Sequence, residues 1–365
     1  MKETVIVVRR SLVDDIEGPP TDSEPGIIEN MPDKIRWGVL STAEIGTEKV
    51  IPAIQRSQRG EVRAIASRDP VRADEAAARL GIPQAHGSYE ALLADPNIDA
   101  IYNPLPNHLH VDWTIAALQA GKHVLCEKPL GMTAADARRL QGIRPDLVLM
   151  EAFMVRFHPQ WLRAREIVRS GRIGEAKAVQ VFFSYTNRDP GNIRNRLDAG
   201  GGAIMDIGCY GVVSGRFIFE GDPTRVMALV DRDPDFGTDR LTSVVADFGS
   251  GRHLGFTVST QLAGHQRVTV VGTEGRVEIA IPFNAPQMEA TRILIDDGSQ
   301  LGGASSEEEV IPPSDQYTEQ ADAFVRAVLG EESLGYRLED AIRNMTILDA
   351  IARSGATGGW EATGL

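Results

Sequence analysis

The chain lacks most of what a disulfide scaffold, a nucleic-acid binder or a metal enzyme is built from. Only Cys126 and Cys209 occur in 365 residues. Two cysteines do not make a disulfide framework, so a reducing compartment, the cytoplasm, is the default expectation. Positive charge is in deficit: 38 Lys and Arg face 51 Asp and Glu, a net charge of −13. Arg9-Arg10 and Arg138-Arg139 are isolated pairs and not the basic patch that phosphate backbones require, so no nucleic-acid partner is expected. No apolar run approaches the ~20 residues that span a bilayer, and no membrane partner is expected. Histidine is sparse and badly spaced for a metal. His108 and His110 stand two apart, facing different directions on a helix, and His158 has no Cys or carboxylate cluster beside it. No metal is expected.

What is present is an alternation of strands and helices. Residues 1–33 stand apart, acidic and proline-containing beyond a short apolar run, and read as an N-terminal extension, either an arm or a disordered segment. From Lys34 the pattern changes. Strands are expected at Ile35–Leu40, Val62–Ala66, Gln84–His86, Ile98–Tyr102, Lys122–Leu125 and Leu147–Ala152. Helices separate them, with Ser88 and Thr133 as caps and Gly81 as a stop signal. Such alternation implies a doubly wound parallel sheet over residues 34–153.

The second half, residues 154–365, opens with a helix ending at Gly171 and a long alternating strand, Ala176–Tyr185. A polar loop (187–199) and Gly200-Gly201-Gly202 lead into a helix running to Phe219. Strands then follow one another at Arg225–Val230, Ser243–Phe248, His253–Thr260, Gln266–Val271 and Arg276–Ile281. Consecutive strands imply a mostly antiparallel open sheet in an α+β domain. Its apolar face, if uncovered, suits a homodimer or tetramer contact. Two helices, near Tyr317–Leu329 and Leu338–Ser354, finish the chain.

In a doubly wound sheet, ligands bind beyond the carboxyl ends of the strands. The first strand-to-helix turn there carries Ser41-Thr42-Ala43-Glu44-Ile45-Gly46, in which small residues replace the first two glycines of G-x-G-x-x-G. Close backbone approach to a phosphate is still allowed, and Ser41 or Thr42 adds a hydroxyl donor. The second strand ends in Ser67-Arg68. An acid at that position suits the ribose hydroxyl of NAD, whereas an arginine suits the 2′-phosphate of NADP, so NADP is expected over NAD. Asp69 comes a residue or two late for the ribose. The rigid loop Asn103-Pro104-Leu105-Pro106-Asn107-His108 falls at the same sheet edge, with Asn107 expected to cap the next helix. The fifth strand ends in Glu127-Lys128-Pro129, which aims Lys128 at the crevice. Asp206 and Tyr210, four apart, share a helix face. The glycines before them permit close backbone approach or leave room for a ligand.

Three ordered motifs, Glu127-Lys128-Pro129, Met150-Glu151-Ala152-Phe153-Met154-x-Arg156-Phe157-His158-Pro159, and Gly200-Gly201-Gly202-Ala203-x-x-Asp206-Ile207-Gly208-x-Tyr210, together resemble the glucose–fructose oxidoreductase/inositol dehydrogenase (Gfo/Idh/MocA) family. The resemblance covers roughly Lys34 to the C-terminus. It implies a dinucleotide-binding Rossmann domain, a second domain whose sheet commonly forms dimers, and a lysine, Lys128, beside the nicotinamide and the reacting oxygen. It makes Lys128–Pro129 a candidate cis bond. The family's histidine four after the aspartate, found in its inositol branch, is replaced by Tyr210, which argues against an inositol substrate. Glu127, Ile193-Arg194 and Tyr317 resemble segments that touch the cofactor, and Arg156 one that supports the substrate or its loop.

The resemblance leads to an NADP-dependent oxidoreductase acting on an aldose, with C1 the expected carbon. The alternatives are sugar–sugar exchange on a tightly held cofactor, reduction of a keto-sugar, oxidation of a trans-dihydrodiol, and a nonenzymatic dinucleotide sensor. Tyr210 is expected to accept the proton, because an adjacent Lys128 ammonium would lower its pKa, with Asp206 binding a neighbouring hydroxyl. The sequence equally allows Lys128 and Tyr210 to exchange roles.

Overall fold

The computed structural model describes residues 34–301 and 303–365; the extension at 1–33 lies outside the described residues. Six strands form the first sheet: β1 (Ile35–Leu40), β2 (Gly60–Ala66), β3 (Gln84–His86), β4 (Ala100–Asn103), β5 (His123–Cys126) and β6 (Leu149–Glu151). All are parallel, in the order β3-β2-β1-β4-β5-β6. Chain order reverses between β1 and β4, which opens a crevice at their carboxyl ends. The strands read as near-continuous apolar runs because helices cover both faces. Several local signals hold as expected. Ser88 Oγ accepts from Ala91 N, Thr133 Oγ1 accepts from Asp136 N, and Gly81 closes its helix at φ 66°.

The second sheet has nine strands: β7 (Ala176–Thr186), β8 (Arg225–Arg232), β9 (Asp239–Asp247), β10 (His253–Ser259), β11 (Gln261–Gly272), β12 (Arg276–Ile279), β13 (Thr291–Asp296), β14 (Glu307–Ile311) and β15 (Glu361–Ala362). Their order is β14-β13-β12-β11-β7-β10-β9-β8-β15. Only β7 and β10 run parallel; the other neighbours are antiparallel. One face packs on the helix Cys209–Phe219, whose Gly211 and Gly215 let Phe256 and Leu254 of β10 approach its backbone. A Cβ at either glycine would lie 2.7–2.8 Å from those side chains, inside any real carbon contact. Within residues 197–219, a stretch long and apolar enough by composition to span a membrane, 83% of the most apolar window is buried inside the fold. Small and apolar residues raise its mean hydropathy, and it serves as a core helix.

The described residues cluster as one compact unit. The helix Gln316–Val328 packs back beneath the first sheet, where Phe324 meets the Trp37 ring of β1 at 4.8 Å. Both rings are fully buried, so truncating Phe324 to alanine would cost about 3–5 kcal/mol.

Candidate active site

Parallel strands deliver their last residues to a common edge. The Ser41 turn follows β1, Ser67-Arg68 follows β2, the 104–108 loop follows β4 and Glu127-Lys128 follows β5. Ser41 takes a left-handed backbone (φ 72°), and its Oγ accepts from Ala43 N at 3.2 Å. The helix after it begins at Glu44 with a π-turn over Gly46–Val50. Ile45 packs against the core beneath the sheet, while Thr42 stays half-exposed. Ser67 is buried and accepts from Asp69 N. Arg68 is exposed and its charge stands near the Tyr89 hydroxyl, opposing the rise that burial gives the Tyr89 pKa. Asp69 caps the next helix by accepting from Val71 N, so its carboxylate is committed to the backbone.

The loop after β4 departs from expectation. Asn107 does not cap a helix; its Nδ2 donates to the Gly200 carbonyl at 2.9 Å and ties this edge to the glycine triplet. Leu105 is buried and His108 exposed, while Pro104 packs near Gly46. Sequence reasoning missed His110. Its two ring nitrogens lie 2.8 Å from the Pro129 carbonyl and 2.6 Å from that of Leu105, pinning the loops after β4 and β5 together.

The Lys128–Pro129 bond is cis. Lys128 Nζ donates to the Asp206 carbonyl (2.7 Å) and lies 3.3 Å from Asp206 Oδ1. On the other carboxylate oxygen, the Tyr185 hydroxyl donates at 2.5 Å and Arg194 Nε at 3.1 Å. Burial opposes a charge on Asp206, but Lys128, Arg194 and the Tyr185 hydrogen bond outweigh it and hold its pKa at about 2. Burial likewise opposes the Lys128 charge, yet Asp206, Cys209 and Glu127 together raise its pKa above the ordinary value. Arg194 is raised mainly by Asp206, with smaller contributions from Tyr185 and from Glu44 of the first turn. The resting site is therefore one carboxylate held by an ammonium on one oxygen and by a neutral phenol and a guanidinium on the other.

Beside them, burial raises the pKa of Glu127, whose Oε1 accepts from the Tyr102 hydroxyl at 2.8 Å. Tyr317 is raised by burial and then by Glu127. The backbone just past Lys128 is also anchored. Leu130 N donates to Glu151 Oε1 at 2.8 Å, and Asn344 Nδ2 donates to Glu151 Oε2 at 3.1 Å.

Two expectations need correction. Tyr210 is buried in an aromatic cluster with Phe153, Phe183 and Phe283 at 5.2–5.9 Å, and its hydroxyl points to the Met154 sulfur at 3.4 Å. Lys128 stands over the ring at 5.1 Å to its centroid. Burial raises the Tyr210 pKa well above 10, the reverse of the depression that a proton acceptor would need. Arg156 is not at the crevice. Its side chain is buried, ion-paired with Asp340 and stacked on Tyr336 at 4.2 Å. The glycine triplet does provide close approach, but to the chain itself. A Cβ on Gly201 would sit 2.4 Å from the Arg194 carbonyl, and one on Gly202 2.0 Å from Asp239 Oδ1. Ile193 is exposed beside Arg194 in a short 3-10 turn.

A doubly wound parallel sheet whose carboxyl edge carries both the β1–β4 crevice and, after β5, such a lysine–carboxylate pair defines a dinucleotide-dependent oxidoreductase. Comparison with known proteins places it more closely. Residues 35–145 match the model of an oxidoreductase family with an NAD-binding Rossmann fold, and residues 161–278 match a GFO/IDH/MocA C-terminal domain. The chain belongs to the Gfo/Idh/MocA oxidoreductase family. It is 46% identical to an uncharacterized oxidoreductase of Rhizobium meliloti, over 90% of this chain and 99% of that one. It is 42% identical to a D-xylose 1-dehydrogenase (NADP(+)) of Haloferax volcanii, over 88% and 98% of the two chains. Among solved structures, a 3-ketoreductase from Actinomadura kijaniata in complex with NADP and TDP-benzene superposes with a TM-score of 0.82. It is 32% identical, with 88% of this chain and 98% of that one covered.

Proposed function

We propose that this enzyme is NADP-dependent and oxidises an aldose at C1, with Lys128 as the ammonium that holds the reacting oxygen, releases one proton to solvent and takes up the hydroxyl proton as hydride leaves carbon. The observation that carries the reading is the partly buried Lys128–Asp206 pair at the crevice. The cofactor fit rests on the donor set: Ser41 and Ala43 offer a small-residue turn, Arg68 a guanidinium at the end of β2, and Asp69 is engaged elsewhere. Glu127, Arg194 and Tyr317 would border its nicotinamide end. Hydride acceptance is the chemistry that a dinucleotide held by these residues would supply. Asp206, kept ionised, holds Lys128 and can accept from a neighbouring sugar hydroxyl. Tyr185 and Arg194 fix that carboxylate against rotation, so the lysine ammonium is positioned before substrate arrives. Tyr210 then forms an apolar wall of the pocket, a role that neither of the two assignments open to the sequence gives it.

A keto-sugar reductase is the second reading. Its supporting observation is the resting charge state, since an ammonium is ready to donate a proton to a nascent alkoxide. The relative from Actinomadura kijaniata, 33% identical, is a sugar-nucleotide 3-reductase. Initial rates with a panel of aldoses and NADP⁺ or NAD⁺, followed by reduced-nicotinamide absorbance, test the first reading. Turnover of an aldose with NADP⁺ supports it, and reduction of keto-sugars alone selects the second.

We also assign the outer face of the nine-stranded sheet to self-association. Met227, Leu229 and Val245 are 44–77% exposed there, and Arg225 stacks on half-exposed Trp360 at 4.6 Å. Both cysteines are free and buried, which fits a cytoplasmic enzyme.

A further inference from the structure

A guanidinium carries five N–H donors and no acceptor, so clustered arginines need anions. Four of them, Arg156, Arg165, Arg216 and Arg343, line one hollow of about 210 Å³. Two carboxylates within it answer them. Asp340 is shared by Arg156 and by Arg216 (2.8 Å). Asp222 is shared by Arg216 (2.6 Å) and Arg343 (2.8 Å). The third carboxylate of the lining, Glu220, is engaged by Arg169, which lies outside it.

This leaves donors in surplus. Arg165 has no carboxylate within ion-pairing distance among the described residues; Nη1 donates to the Tyr336 hydroxyl at 3.1 Å and its plane lies over Phe217 at 4.1 Å. Arg156, with 3% of its side chain exposed, keeps a buried Nε–H without a partner. A network serving only to fasten the last helix would account for Arg216, Asp222 and Asp340. It does not account for an open hollow with an unpaired donor in its wall. Arg343, 55% exposed, stands at its edge and gives access from solvent.

Size narrows the ligand. The hollow is smaller than the ~300 Å³ at which pockets for drug-sized molecules begin, yet several times the ~30 Å³ share of one water. We propose that it is an anion site, separate from the hydride-transfer crevice, that takes a phosphate group. The source is either inorganic phosphate or the phosphate of a sugar phosphate whose sugar remains in solvent. Bidentate arginine pairing is the chemistry that recognises it.

The test is calorimetric titration and thermal shift at fixed ionic strength with inorganic phosphate and with glucose 6-phosphate. The proteins are the full chain and its Arg68→Ala, Arg343→Ala and Arg165→Ala/Arg343→Ala variants. Saturable binding in wild type and Arg68→Ala is expected. Affinity should fall a few-fold in Arg343→Ala and by about tenfold or more in the double variant, as loss of charge-assisted hydrogen bonds implies. Equal affinity for both probes assigns the free ion, and tighter binding of the second assigns the sugar phosphate. Unchanged affinity in the Arg343→Ala and double variants, loss of binding in Arg68→Ala, or no saturable binding to wild type would each overturn the proposal. The readout needs no turnover, so it stands or falls independently of the sugar reading.

Discussion

Tyr185 on β7 and Asp206, 21 residues later, are joined by a 2.5 Å hydrogen bond across the candidate active site. Arg194 reaches the same carboxylate oxygen, and Lys128 takes the other. Asp206 is thus gripped from both sheets, and its geometry is fixed before any substrate binds. Replacing Tyr185 with Phe removes one charge-assisted hydrogen bond. We expect kcat/KM to fall about tenfold with folding intact, the kinetic equivalent of ~1.4 kcal/mol. A rate unchanged within twofold would show that Arg194 and Lys128 suffice.

Lys128→Met should lower kcat by about 10²–10⁴, the usual yield of acid–base catalysis, and remove its lysine-dependent pH limb. Tyr210→Phe should cost less than about threefold, because its hydroxyl meets only a thioether, which is a weak acceptor. The opposite ranking, measured on the same substrate, would return the proton-transfer role to Tyr210.

Cofactor choice should reside at the end of β2. Arg68→Ala is expected to raise KM for NADP⁺ at least about tenfold while leaving NAD⁺ kinetics nearly unchanged, since only the 2′-phosphate loses a partner. An equal effect on both cofactors would remove Arg68 from that role.

Glu151 makes stability depend on pH. Burial is the main cause that lifts its pKa from 4.5 to about 7. The folded state then holds a proton that the unfolded state has released. Its contribution is fully present below pH 4.5 and lost as pH rises through 7, by about 3 kcal/mol on an order-of-magnitude reckoning. Thermal melts of Glu151→Gln should therefore lose part of the wild-type fall between those values. A wild-type profile with the same slope as the variant would place the Glu151 pKa near its ordinary value.

On the sheet face proposed for self-association, Leu229→Glu should shift the protein toward monomer in sedimentation at constant concentration, because it places charge on the most exposed apolar side chain of that face. Identical sedimentation would leave the face without a partner copy.

Much of this architecture is legible in the sequence because its signals are local. Apolar runs, Ser88, Thr133 and Gly81 specify the first sheet, and Glu127-Lys128-Pro129 marks the strand end that carries the lysine. Long-range partners are not legible in that way. Tyr185 sits in an alternating strand among phenylalanines and reads as one more core aromatic, although its register turns it toward Asp206. Tyr210 has the spacing of a catalytic residue, but the rings of Phe153, Phe183 and Phe283 decide its environment. Arg156 belongs to a recognisable motif and pairs with Asp340, 184 positions later. The strands β13 and β14 were hidden by loops and by the acidic run Glu307-Glu308-Glu309.

Arg216 donates to Asn344 Oδ1 at 2.5 Å, and Asn344 in turn holds Glu151, which holds Leu130 just beyond Lys128. Asn344 lies in the last helix, Leu338–Thr357. During synthesis, the lysine's own sheet can be complete nearly 200 residues before that support emerges from the ribosome (344 − 151 = 193). A chain released early would bear the six strands and Lys128 without the polar buttress behind its loop, so the loop's support is completed only when the C-terminal helix has docked.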